Sequence, residues 1–134
     1  MIIYADNLSD IDLQGFVTFH QVHDDPMSMA LFETPYPEKC GIASLDASNR
    51  VTEFVEKPEH PKSRLANAGL YVLDAAAWRE IADMGAFDFG FDVIPQFVGR
   101  MSGFRHPGYH RDIGTHESLG QAEADAPGVF GSTA

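Results

Sequence analysis

Met1-Ile2-Ile3-Tyr4-Ala5-Asp6-Asn7-Leu8 is the stretch whose reading decides the fold. An apolar run starts at the first residue and stops on an acid. A short apolar run bounded by turn-forming residues reads as a buried strand. Met1 to Ala5 is therefore predicted as a strand, with Asp6 at its end. The same pattern recurs downstream, where Gly108-Tyr109-His110-Arg111 runs into Asp112-Ile113-Gly114-Thr115. In open α/β sheets, ligands bind beyond the carboxyl ends of the strands. Two carboxylates brought there from distant stretches make a hard oxygen site suited to Mg²⁺. Between them a third strand-like run ends on Glu56-Lys57-Pro58, a cation beside an acid. Two acids for a metal and one lysine for an anion suit phosphoryl or nucleotidyl chemistry. Plainer readings exist for each piece. Asp6-Asn7 and Asp112-Ile113-Gly114-Thr115 also fit ordinary turns, and exposed Glu-Lys pairs contribute little.

Working outward, Ser9 with Asp12 three residues later has the pattern of a capping box. Leu13, Phe16, Val17 and His20 follow at helical spacing, so a helix is predicted to about His23. Strands follow at Ser28 to Thr34, Gly41 to Leu45, Val51 to Glu56 and Asn67 to Leu73. Asp46-Ala47-Ser48-Asn49 is a turn that folds the middle two into a hairpin. Gly69 interrupts a strand where a ligand or backbone could approach closely. Asp74 caps a helix to about Met84, and Asp88 or Gly90 starts another. Phe104 to Arg111 returns as a strand or as a bent pair of strands around Pro107-Gly108. Thr115 caps a last helix with Glu117 in its first turn. From Ala126 to Ala134 a flexible tail is expected, leaving residues 1 to 125 as one domain.

The charge balance excludes some functions. With 9 Lys and Arg against 20 Asp and Glu, the net charge is −11. Phosphate backbones need basic patches, so nucleic acid is not an expected partner. An acidic chain still binds phosphates when a divalent ion bridges the charges. The single cysteine, Cys40, excludes an internal disulfide and a cysteine-rich zinc site. It fits a reducing compartment, and a cytoplasmic location is expected. The apolar runs are too short to span a bilayer, and Met1-Ile2-Ile3-Tyr4 lacks a basic leader.

Other motifs read more plainly. Asp88-Phe89-Gly90 spells the metal triplet of protein kinases without their other signatures, so it is read as a helix entry. His106 and His110 are read as members of a surface strand pair. Cys40 is read as a small buried hydrophobe.

The order of the motifs is more specific than any one of them. Tyr4-Ala5-Asp6-Asn7-Leu8, Cys40-Gly41-Ile42-Ala43, Val51-Thr52-Glu53-Phe54-Val55-Glu56-Lys57-Pro58, Leu65-Ala66-Asn67-Ala68-Gly69-Leu70-Tyr71-Val72 and Asp112-Ile113-Gly114-Thr115 follow one another. Together they resemble the sugar-phosphate nucleotidyltransferases, over about Ile2 to Ala124. The likeness is greatest to the mannose-1-phosphate or heptose-1-phosphate guanylyltransferases and the glucose-1-phosphate thymidylyltransferases.

That resemblance implies an α/β, Rossmann-like fold with a mixed sheet flanked by helices. It implies that Asp6 and Asp112 hold a catalytic Mg²⁺. Lys57 would contact the sugar 1-phosphate and Glu56 the sugar hydroxyls. Asn7, Gly41, Asn67 and Gly69 would line the sugar pocket. The sequence departs from the family at Ala5, where glycine is usual. It also lacks the Gly-rich loop that cradles a nucleoside triphosphate. The chain is therefore expected to be the carboxyl-terminal half of the enzyme domain, weakly active or inactive alone. The other expectation is a non-catalytic sugar-phosphate-binding or oligomerising module. A homodimer or higher oligomer is expected, because a half-covered sheet exposes edges and apolar patches.

Overall fold

The computed structural model describes residues 1–131. In chain order the elements are β1 (Ile2–Ile3), β2 (Asn7–Ser9), α1 (Leu13–Gln21), β3 (Met27–Glu33), a 3₁₀ turn (Pro37–Lys39), β4 (Gly41–Leu45), β5 (Val51–Glu56), β6 (Leu65–Leu73), α2 (Ala75–Met84), a π-helical turn (Phe89–Val93), α3 (Ile94–Phe97), β7 (Met101–His106), β8 (His110–Asp112) and α4 (His116–Phe130).

Alternation along β3 explains the two layers of core. Met27, Met29 and Leu31 face one side and pack with Tyr71, Ile94, Phe97 and Met101. Ala30 faces the other side and packs with Phe16 of α1, Ala68, Leu70 and Val72. This is the period of two expected of a strand. Both faces are covered, so β3 and β6 are buried along nearly their whole length. Phe16, fully buried, fixes α1 to the sheet; burying a phenylalanine contributes about 2–3 kcal/mol.

The main sheet runs β5-β4-β6-β3-β7, and β1 adds beside β6. Among the described residues only β3 and β7 are parallel; the other pairs are antiparallel. The result is the mixed sheet flanked by helices that the sequence predicts. The β4–β5 hairpin forms around Asp46, whose Oδ1 accepts from Ser48 N at 2.8 Å and Arg50 N at 3.0 Å. Asp74 caps α2 by accepting from Ala77 N at 2.7 Å. Thr115 and Ser118 form a reciprocal capping box on α4.

Three expectations change and one holds. The strand predicted over Met1 to Ala5 shrinks to Ile2–Ile3, and Ile3 is 52% exposed. It pairs with β6 alone among the described residues, so its other edge is open. Ser9 does not cap α1: it ends β2, and its hydroxyl donates to the Tyr109 carbonyl at 3.1 Å. Asp12 takes over, accepting from Gly15 N at 2.9 Å. Phe104 to Arg111 forms the bent pair around Pro107-Gly108, as β7 and β8. The helix predicted to end near Asp125 continues to Phe130 with Pro127 inside it. Residues 132–134 of the expected tail lie outside the described residues.

Candidate functional site

The site begins with an irregularity in β6. Met29 pairs with Tyr71 but Leu31 pairs with Asn67, so β6 carries two extra residues against β3. Gly69 absorbs the bend at φ +72, a left-handed conformation that glycine adopts at little cost. Asn67 holds the bend in place: its Oδ1 accepts from Gly69 N at 2.9 Å and its Nδ2 donates to the Tyr71 hydroxyl at 2.6 Å. The displaced carbonyls then reach a different stretch of chain. Gly69 O accepts from Tyr4 N at 2.9 Å and Ala68 O accepts from Asn7 Nδ2 at 3.3 Å. Asn67 and Asn7 thus spend their side chains on positioning backbone.

The same stretch carries the first acid. Asp6 does not end β1, as the sequence suggested; it sits in the turn that leads into β2. There β2 pairs antiparallel with β8, placing Asn7 opposite Asp112. Ile113 N donates to Asp6 O at 2.8 Å, which locks the two acid-bearing segments side by side. Their carboxylates approach one point. A Cβ placed on Gly114 would lie 3.1 Å from Asp112 Oδ1 and 3.5 Å from Asp6 Oδ2. Gly114 N also donates to Asp112 Oδ1 at 2.7 Å, orienting that carboxylate. The donor set is two carboxylates converging where glycine leaves room. That chemistry fits a hard cation such as Mg²⁺, which keeps several waters and binds substrate phosphates rather than an all-protein cage. Among the described residues no cluster of three or more His, Cys, Asp or Glu is gathered to hold a metal.

The second group of residues comes from the β4–β5 hairpin. Gly41 pairs with Glu56 across it. A Cβ on Gly41 would lie 2.6 Å from Glu56 Oε2 and 2.5 Å from Phe54 Cζ, so only glycine leaves the carboxylate its place. Burial pushes the Glu56 carboxyl up, with nearby Asp88 adding to the rise and Lys57 opposing it. Lys57 follows at φ +48, an uncommon conformation for a side-chain-bearing residue. Its N–H donates to Cys40 O at 3.0 Å, and the residue is exposed. Cys40 is only half-buried; burial raises its thiol, and Glu56 and Asp112 are among the charges that add to the rise.

The structure therefore brings Asp6, Asn7 and Asp112 together with Gly69 and Asn67, and Glu56 with Gly41 and Lys57. Tyr4 links the two groups, since its phenol feels Asp88, Glu56 and Asp6. Asp88 and Tyr4 were missed in the sequence. Asp88 does enter a helical turn, accepting from Phe91 N at 2.8 Å. It also faces Glu56: a Cβ on Gly90 would lie 3.3 Å from Asp88 Oδ1 and 3.7 Å from Glu56 Oε2. Its acid-aromatic-glycine triplet was the available signal. His106 is buried rather than on the surface, and His110 is partly buried. His106 is 7% exposed and its Nε2 lies 2.9 Å from Asp10 Oδ1. His110 packs on Phe32 with centroids 4.4 Å apart, and its Nδ1 has no hydrogen-bond partner among the described residues.

With this geometry in place, the comparison with known families is decisive: the nucleotidyl transferase family matches residues 1–127. The chain belongs to the nucleotidyl transferase family. Its fold is similar to that of a Bacillus anthracis protein described as a glucose-1-phosphate thymidylyltransferase and crystallised with sucrose. The TM-score is 0.80 at 26% sequence identity, and the match covers 92% of this chain and 52% of that one. This nucleotidyl transferase chain thus spans about half the length of that relative. The likeness is to the sugar-phosphate branch of the family, as the order of the motifs implies.

Proposed function

We propose that this chain carries the sugar-phosphate and metal side of a sugar-1-phosphate nucleotidyltransferase. The observation that carries the reading is the convergence of Asp6 and Asp112 on the space beside Gly114. The reaction joins a nucleoside triphosphate and a sugar 1-phosphate into a nucleoside diphosphate sugar. A sugar-phosphate oxygen bonds to the α-phosphorus as the bond to the bridging oxygen breaks, and pyrophosphate leaves with the electron pair. Positioning and charge neutralisation dominate such transfers.

Asp6 and Asp112 would hold Mg²⁺, which when bound neutralises phosphate charge. Lys57, exposed beside Glu56, would hold the attacking phosphate. Glu56 would accept from sugar hydroxyls, and the backbone at Gly41 and Gly69 would line the pocket that Asn67 and Asn7 shape. The 134 residues contain no glycine-rich phosphate loop, so weak or absent turnover is expected of this chain by itself. The open edge of β1 favours a second reading, a non-catalytic sugar-phosphate-binding or oligomerising module. A homodimer or higher oligomer in the cytoplasm completes the proposal. The open edge of β1 and exposed Met1 and Ile3 support self-association. No described helix is long and apolar enough to cross a membrane.

The test is a titration with sugar 1-phosphate and nucleoside triphosphate, with and without Mg²⁺. Binding of both followed by pyrophosphate release supports the transferase. Sugar-phosphate binding without release supports the module. Binding of neither contradicts the transferase and leaves only an oligomerising scaffold.

A further inference from the structure

Tyr4 has no role in holding metal or phosphate, yet it lies between the two acid groups of the site. Its N–H bond to Gly69 O extends the β1–β6 pairing by one residue. Its ring lies across Gly69, where a Cβ would come within 2.7 Å of Cδ2 and 3.0 Å of Cγ. The ring also meets Tyr71 edge to face, with centroids 5.8 Å apart. Tyr71 is fully buried, bonded to Asn67 Nδ2 and stacked on Phe89 at 4.5 Å. Backbone, glycine and a fixed aromatic therefore hold the Tyr4 ring in one orientation. The residue is still 37% exposed.

What surrounds the phenol defines the ligand chemistry. Asp88, Glu56 and Asp6 lie close enough to act on the phenol electrostatically. A tyrosine hydroxyl donates at neutral pH, so Tyr4 brings a hydrogen-bond donor among carboxylate acceptors. A hexose matches this arrangement on both counts. Its C–H face packs on an aromatic ring, and the hydroxyls around its edge both donate to carboxylates and accept from a phenol. A phenol held in one orientation reaches only one of those hydroxyls.

We infer that Tyr4 is a specificity-determining residue of the sugar site: its ring carries the C–H face of the hexose and its hydroxyl donates to one sugar oxygen. The inference rests on the sugar-phosphate reading proposed above. It assigns to Tyr4 the choice between hexoses that differ in the configuration of a single hydroxyl.

Calorimetric titration of the full chain in Mg²⁺ with glucose, galactose and mannose 1-phosphate tests it. Galactose and mannose each invert one hydroxyl of glucose. The wild-type chain should bind one of the three about tenfold more tightly than at least one other. Tyr4→Phe keeps the ring and its packing, so the fold should survive. It should weaken binding of the preferred hexose phosphate about tenfold and bring all three affinities close together, as loss of one hydrogen bond requires. Tyr4→Leu, which also removes the ring, should weaken all three further. Equal wild-type affinities, or unchanged ratios in Tyr4→Phe, overturn the inference. Should Lys57→Ala abolish binding of all three while Tyr4→Phe changes nothing, the sugar-phosphate reading stands and the assignment of Tyr4 alone falls. Should the wild-type chain bind none of the three, the reading and the assignment fall together.

Discussion

A Cβ on Gly69 would lie 2.7 Å from Cδ2 of Tyr4 and 2.9 Å from Nδ2 of Asn7. Gly69 also sits at φ +72. Gly69→Ala therefore meets two penalties, a left-handed backbone and a collision with two side chains of the site. A loss of about 2–4 kcal/mol is expected, combining backbone strain with overpacking. Chemical denaturation measures it. A variant within experimental error of wild type would show that the bend in β6 is not enforced by this residue.

Lys57→Ala separates binding from stability. The side chain is exposed, and no ion pair holds it among the described residues. The thermal midpoint should be nearly unchanged. Affinity for a sugar 1-phosphate should fall about 10- to 100-fold, the worth of a charge-assisted hydrogen bond to phosphate. Unchanged affinity in calorimetry removes Lys57 from the site.

His110 makes stability fall in acid. Burial, then the neighbouring His106, pushes its pKa down to about 4, against a weaker opposing pull from Asp112. An unfolded histidine titrates near 6.5. Below about 6.5 the unfolded chain takes up a proton that the folded chain refuses. Stability should therefore drop as pH falls from about 6.5 to about 4, and this contribution should level off below that. His110→Phe, which keeps a ring against Phe32, should flatten that part of the pH profile. An unchanged profile would assign the acid sensitivity to other groups.

Self-association should depend on the open edge of β1. Light scattering at micromolar concentration should show a dimer or larger species. A charged substitution at Ile3, which is 52% exposed, should shift it toward monomer. A wild-type monomer would contradict the proposed oligomer.

Much of this was legible in the sequence. Asp112 and Glu56 were found because each closes a strand, and apolar runs ending on an acid are visible one segment at a time. Asp74 and the Asp46 turn were found because a capping or turn side chain acts on backbone two to four residues away. What escaped depends on distant contacts. The pairing of β2 with β8 joins three-residue strands about 100 positions apart, too short to show a period. It moved Asp6 from a strand end to a turn and took Ser9 away from α1. The two extra residues in β6 have no local marker beyond Gly69. Asp88 reads as a simple cap because only the folded chain brings Glu56 beside it. His106 looks like a surface residue until Asp10 is placed 2.9 Å away.

Asp6 and Asp112 are proposed to bind the metal that makes a sugar-phosphate site out of an acidic surface. Calorimetric titration of a sugar 1-phosphate into wild type and Asp112→Asn, each with and without Mg²⁺, tests it most directly. Asparagine keeps the acceptor for Gly114 N, so the loop should persist while the charge is lost. Mg²⁺-dependent binding is expected in wild type, with a loss of about 100-fold or more in Asp112→Asn. Identical isotherms with and without Mg²⁺, unaltered in Asp112→Asn, would contradict it.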